Sequence, residues 1–143
     1  MEHKRRWHAC ISIAGNNKAK GGVYVIGGMD AEKNFENTIE KLEFGANKWV
    51  TKGEISGSLA DLLLQTVAEA NSQDYILYSI GGNKRYDTIF TRSHGLYQYR
   101  SQNGIYGLTH SYEWKLVGNL INGRIYHTSL NMLRKDIPNC PIH

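Results

Sequence analysis

The chain has 143 residues, a formal net charge of +4 and 41% hydrophobic residues, including nine Tyr and three Trp. This is about the size of one ordinary domain with a buried core, and the aromatic content excludes a disordered chain. No apolar run approaches the roughly 20 residues of a membrane span, or the roughly 7–15 of a signal peptide. We therefore predict a cytoplasmic protein without membrane contact, in which Cys10 and Cys140 are reduced thiols.

The first part of the chain contains four short segments that read as strands. HACISIA (8–14) is a moderately apolar run, VYVIGG (23–28) runs into two glycines, TIEKLEF (38–44) alternates apolar and polar residues, and KWVTK (48–52) carries a tryptophan. Alternation with period two and short Gly-, Asn- and Lys-containing connections favour antiparallel strands.

The same four segments recur in the second part of the chain. They are LLLQTVAE (62–69), LYSIGG (77–82), GLYQY (95–99) and EWKLV (113–117). A further first-strand segment, YHTSLNML, follows at 126–133. We predict one repeat at residues 5–59, a second at 60–123, the first strand of a third at 124–133, and a tail at 134–143.

The spacing between equivalent residues supports the repeat. When Gly28 is aligned with Gly82, an aromatic residue follows 16 or 17 residues later, at Phe44 and Tyr99. Trp49 then follows after 5 residues and Trp114 after 15. We therefore predict an insertion of ten residues between the third and fourth strands of the second repeat, within QNGIYGLTHSY (102–112).

Two residue types have predicted structural roles. At least one glycine of each Gly-Gly pair is expected to take a positive φ. Trp49 and Trp114 are each expected to fill a wedge between repeats with the N–H bonded to backbone, so that replacement of either by Ala costs about 3–5 kcal/mol. The carboxylates of Glu36, Glu40 and Glu43 are interpreted as solvent-facing.

The order Arg-x-x-His (5–8), YVIGG (24–28), an alternating strand ending in an aromatic residue, and then Trp resembles the kelch repeat. The resemblance covers about residues 5–133, although Leu59 and Leu62 replace the Arg and His in the second copy. It implies an all-β fold of kelch-type β-propeller blades, each a four-stranded antiparallel sheet.

Two blades and one strand form an incomplete ring, since propellers close with about four to eight blades. The two open sides are expected to expose apolar edges and faces. Three explanations remain open: a piece of a longer protein, self-association that completes a ring, or a degenerate product of marginal stability.

The sequence contains no catalytic motif, and its histidines have no metal-ligand spacing, so we predict no enzyme activity, no cofactor and no metal. Nucleic-acid binding is also disfavoured, because the one basic run, Lys4-Arg5-Arg6, has neither a recognition helix nor a zinc motif beside it. What remains is a non-catalytic protein–protein interaction module.

In an antiparallel blade, the loops between strands two and three emerge at the same end as the connections between blades. We predict that this end binds a protein or peptide partner, an acidic segment, because Arg and Tyr are common interface anchors. The predicted contact residues are Arg5, Asn34, Arg85, Tyr86, Arg92 and Arg124. The insertion at the opposite end, which contains Tyr106 and Tyr112, is interpreted as an ordered surface loop, with a second contact as the alternative.

In proteins that this chain resembles, that end of the propeller often binds a partner, in some cases as the substrate adaptor of a ubiquitin ligase. The sequence contains no BTB or F-box segment, so this link depends on the resemblance alone. The alternative is part of a sugar-processing or copper-dependent kelch-like propeller enzyme.

Overall fold

The computed structural model describes residues 1–17, 19–32, 34–55, 62–63, 67–70, 72–86 and 98–124. All regular elements in these ranges are strands, and all their pairings are antiparallel. They form two sheets that follow one another along the chain. The predicted all-β class is confirmed. Within the described ranges, no helix has the length and hydropathy of a membrane span.

The first sheet, blade 1, is a four-stranded meander of neighbours in chain order. Its register places Ala9 opposite Ile26, Ile26 opposite Ile39, and Ile39 opposite Gly53. The strands are β1 (Ala9–Ile13), β2 (Gly22–Ile26), β3 (Thr38–Glu43) and β4 (Val50–Glu54).

The second sheet has six strands, of which β6, β7, β9 and β10 repeat the meander and are called blade 2. The two extra strands, β5 and β8, pair with each other, and β8 also pairs with the first residues of β9. The strands are β5 (Leu62–Leu63), β6 (Val67–Glu69), β7 (Tyr75–Ile80), β8 (Asn83–Tyr86), β9 (Gln98–Thr109) and β10 (Trp114–Arg124).

The insertion in the second repeat lies elsewhere than predicted. Ile26 pairs with Ile39 in blade 1, and Ile80 pairs with Ile105 in blade 2, so the third strand of blade 2 is the end of β9 and not GLYQY. The extra residues therefore separate strands two and three, where they form β8 and the start of β9. The predicted alignment of Trp49 with Trp114 holds, because the two residues occupy equivalent positions relative to the third strand of their own blade.

The Gly-Gly pairs follow the prediction. Gly27 and Gly28 have φ of 65° and 97°, and Gly81 and Gly82 have φ of 62° and 123°. A Cβ atom on Gly28 would lie 2.7 Å from the carbonyl oxygen of Arg6. Glycine is required here both by the left-handed conformation and by the close approach of a second backbone segment.

A hydrophobic core joins the two blades. Blade 1 contributes one face of its sheet, on which Tyr24, Ile26 and Ile39 are buried, and blade 2 contributes Leu77 and Leu108. Fully burying side chains of this size stabilises by roughly 1.5–3 kcal/mol each. The partly buried residues that pack against this core include Ile11, Val67, Ile76, Tyr106, Tyr112 and Trp114.

Trp49 and Trp114 differ in their surroundings. Trp114 packs against the core between the blades, but its buried Nε1–H has no acceptor among the described residues, contrary to the predicted backbone hydrogen bond. Trp49 is half-buried and lies outside the core cluster. The difference arises because Trp114 meets blade 1, whereas no blade precedes blade 1 in the described residues.

The N-terminal segment Met1–Arg5 crosses the face of blade 1 that points away from blade 2. The backbone N–H groups of Glu2 and His3 donate to the Glu40 carboxylate at 2.9 and 3.0 Å. The Thr51 hydroxyl, on the outermost strand, donates to the Glu2 carboxylate at 2.9 Å. Glu40 is completely buried, so its interpretation as a solvent-facing residue is wrong. Five residues of the chain thus cover part of the open side of blade 1.

Candidate functional site

We call the end of the sheets at which strand two passes to strand three the loop end. Its described residues are 4–8, 27–32, 34–37, 81–86 and 98–104. The connections 14–17 and 19–21, 44–49, 72–74 and 110–113 lie at the opposite end. Of the contact residues predicted at the loop end, Arg5, Asn34, Arg85, Tyr86 and Arg124 lie within the described ranges.

The β8–β9 hairpin extends blade 2 at the loop end beyond its Gly-Gly pair. Its register places Lys84 opposite Arg100, Arg85 opposite Tyr99 and Tyr86 opposite Gln98. The ladder continues into the blade through Gln102 N–H to Gly82 O at 3.0 Å and Gly81 N–H to Gly104 O at 2.9 Å. The hairpin is thus a hydrogen-bonded extension of the blade that brings predicted contact residues Arg85 and Tyr86 to this end.

Arg124 is the last residue of β10 and lies in register opposite Gln102. Since Gln102 is hydrogen-bonded to Gly82, the backbone of Arg124 lies at the same end as the hairpin. Arg92 lies outside the described residues, as do Cys140 and the strand segment predicted at 126–133.

The loop at 29–37 is closed around the Asp30 side chain. Its Oδ1 accepts from the backbone N–H of Glu32 at 2.8 Å and of Asn34 at 2.9 Å, and its Oδ2 accepts from the Asn34 side-chain amide at 2.9 Å. The hydrogen bond from the Asn34 amide lowers the pKa of the Asp30 carboxyl most, and the hydrogen bonds from the backbone N–H groups lower it further. The predicted contact residue Asn34 is exposed at this end, and its amide shapes the loop.

The Arg5 side chain is buried against blade 1 and does not reach the surface. Its guanidinium donates to Gly27 O at 3.0 Å, to Thr38 O at 2.9 Å and to Glu40 Oε1 at 2.5 Å, and its side chain has no exposed surface. We correct its assignment as a contact residue, because a guanidinium with these partners fixes the N-terminal segment to β3. The sequence concealed this role because the interacting residues are more than 20 positions away.

Trp7 is a further candidate contact residue, which the repeat pattern did not indicate. Its side chain is 56% exposed at the loop end, although large aromatic residues usually contribute to a core. Trp7 has a φ of 55°, and the guanidinium carbon of Arg6 lies 4.8 Å from the centre of its ring. One sequence signal was available: the second repeat has Asp61 at the aligned position, so the site does not require an apolar residue.

His8, which follows Trp7, is half-buried, and its Nδ1 has no partner among the described residues. Burial, and then the positive charge of Arg5, lowers the pKa of His8. Among the described residues, no group of three or more His, Cys, Asp or Glu is placed to hold a metal ion.

The opposite end contains a cleft between the two blades. Its larger part has a volume of about 630 Å³, and a smaller adjoining part of about 200 Å³ reaches Tyr24 and Tyr112. Burial raises the pKa of both tyrosines. Tyr106 and Tyr112 both pack against the core between the blades. The polar residues of the larger part include Asn16, Asn17, Glu69, Ser72, Gln73 and His110.

Comparison with known proteins identifies the fold and nothing finer. No family model matches the chain, and no curated protein matches it. Among solved structures the chain is similar to YjhT, with a TM-score of 0.61 and 16% sequence identity over 88% of this chain. The match spans 35% of YjhT, so the chain corresponds to about a third of that protein. Together with the two stacked meanders, this likeness supports an incomplete propeller-like all-β fold.

Proposed function

We propose that this chain is a non-catalytic protein-interaction module of the kelch type that binds an acidic protein or peptide segment at its loop end. The observation that carries the proposal is the β8–β9 hairpin, which projects from a hydrogen-bonded blade and holds basic residues in register. Scaffolded loops of this kind are the usual location of binding residues. Because both cysteines are predicted to be free thiols, we assign the module to the cytoplasm.

The basic residues of the hairpin support an acidic partner. Lys84 lies in register opposite Arg100, so each of the two paired strands contributes a basic residue at this position. Arg85 adds a third positive charge, and residues 83–86 and 98–101 contain no Asp or Glu, although Asp87 follows next in sequence. An acidic segment bound beside the hairpin would gain charge-assisted hydrogen bonds from these basic residues.

The proposal is tested by selecting random dodecapeptides displayed on phage against the immobilised protein. We expect the selected peptides to be acidic and their affinity to fall with salt. Arg85→Glu should weaken binding at least tenfold, and Arg92→Glu tests the residue outside the described ranges. Lys48→Glu, the same charge change at an exposed position of the opposite end, is the control. Selection of no peptide, or equal losses for Lys48→Glu and Arg85→Glu, would contradict the proposal.

The second candidate is part of a sugar-processing or copper-dependent propeller enzyme. The cleft of about 630 Å³ at the opposite end favours it, because amide, hydroxyl and carboxylate side chains line a space large enough for a small polar molecule. Calorimetric titration with monosaccharides and with Cu²⁺ tests this candidate. Binding that is abolished by Gln73→Ala would favour it over the interaction module.

A further inference from the structure

The backbone around Trp7 holds an apolar ring in solvent at an energetic cost. A φ of 55° is uncommon for any residue other than glycine, and it is a genuine outlier for a bulky side chain. Such conformations persist only where the surroundings enforce them, and they cluster at functional sites. Trp7 thus combines a strained backbone with a side chain that is 56% exposed.

The neighbouring contacts show how this conformation is enforced. The Arg6 N–H donates to Met29 O at 2.9 Å, and the Met29 N–H donates to Arg6 O at 2.8 Å. Met29 itself is buried, and the close approach is allowed because Gly28 has no side chain. The residue before Trp7 is therefore fixed to blade 1 by two backbone hydrogen bonds, which makes the exposed ring a rigid feature of the surface.

Arg6 and Trp7 together form a surface pair of the two residue types most enriched at interface hot spots. The guanidinium lies over the ring at 4.8 Å, which orients it by a cation–π interaction. No described carboxylate forms a salt bridge with Arg6. Asp30 feels the charge of Arg6, but its two oxygens are occupied by Glu32 and Asn34.

We propose that Arg6 and Trp7 anchor a partner segment that presents a carboxylate next to an apolar side chain. The carboxylate binds the Arg6 guanidinium, and the apolar side chain packs on the exposed indole. The inference rests on the proposed function, since it extends the loop-end surface from the hairpin of blade 2 to blade 1.

The test uses the dodecapeptides selected on phage, resynthesised with a fluorescent label and measured by fluorescence anisotropy. We expect the selected sequences to share Asp or Glu beside a large apolar residue. Trp7→Gly removes the ring and suits the left-handed conformation, so it should weaken binding at least tenfold while Tm stays equal or rises. Arg6→Gln should weaken binding severalfold and reduce its dependence on salt, and Lys48→Glu should change neither.

Each alternative outcome has a distinct meaning. If peptide affinity falls with Arg85→Glu but is unchanged by Trp7→Gly, the anchor is wrong and the interaction module stands. If the wild-type chain selects no peptide, both proposals fail. A marked drop in Tm for Trp7→Gly would assign Trp7 a structural role and overturn the inference.

Discussion

Arg5 and Glu40, 35 residues apart in the sequence, form a salt bridge in which neither side chain has any exposed surface. The pair joins the N-terminal segment to the third strand of blade 1, and Glu40 also accepts two backbone N–H groups from that segment. A buried ion pair of this kind is costly to break, because removal of one partner leaves the other charge without compensation.

Glu40→Gln should therefore lower the free energy of unfolding by about 3–5 kcal/mol. Urea denaturation followed by circular dichroism measures the loss. Glu43→Gln, on the same strand but partly exposed, should cost less than about 1 kcal/mol. The double variant Arg5→Leu/Glu40→Leu should lose less than the sum of its single variants, since it leaves no unpaired charge. Strict additivity would show that the two side chains do not interact.

The same carboxylate makes stability dependent on pH. Burial alone would raise the pKa of Glu40, but the N–H groups of Glu2 and His3 and the Arg5 guanidinium hold it below its usual value of 4.5. A carboxyl whose pKa is lower when folded stabilises the protein above the unfolded-state pKa, and this contribution is lost as pH falls through the folded-state pKa. Denaturation midpoints between pH 7 and pH 3 should fall more steeply for wild type than for Glu40→Gln. Parallel curves would exclude Glu40 as the cause.

Trp114→Ala should cost about 3–5 kcal/mol, because it empties a space in the core between the blades. Trp49→Ala should cost less than half as much, since Trp49 is half-buried and outside that core. Thermal unfolding of the two variants provides the comparison. Equal losses would mean that Trp49 packs as tightly as Trp114, as the repeat alone predicts.

The variants Gly28→Ala and Gly45→Ala distinguish two requirements for glycine, a positive φ and a close approach of another backbone segment. Both residues have positive φ, at 97° and 82°, but a Cβ on Gly45 would meet no atom within 4 Å, whereas one on Gly28 would meet the Arg6 carbonyl oxygen at 2.7 Å. Gly45→Ala should cost about 1 kcal/mol from backbone strain, and Gly28→Ala at least about 1–3 kcal/mol more from the displaced Arg6 backbone. Denaturant titration of both variants measures the difference, and a smaller loss for Gly28→Ala would disprove the close approach.

Local features of the chain were enough to predict the all-β class, the strands ending in Gly27-Gly28 and Gly81-Gly82, and the aligned tryptophans. Alternating apolar residues and glycine conformation depend on near neighbours, so they can be recognised without the fold. The placement of the insertion could not be predicted in this way. Both GLYQY and the end of β9 alternate, and only pairing with β7 shows which of them is the third strand of the blade.

The sequence pattern thus predicted the strands of blade 1 and the strand before each Gly-Gly pair, but not which side chains reach solvent. Arg5 and Glu40 are charged and were expected at the surface, yet the N-terminal segment buries them by crossing blade 1. Trp7 is aromatic and lies at the loop end in solvent, because hydrogen bonds between Arg6 and Met29 hold its backbone there. Burial depends on segments that meet only after folding, so the tertiary structure alone decided the candidate binding surface.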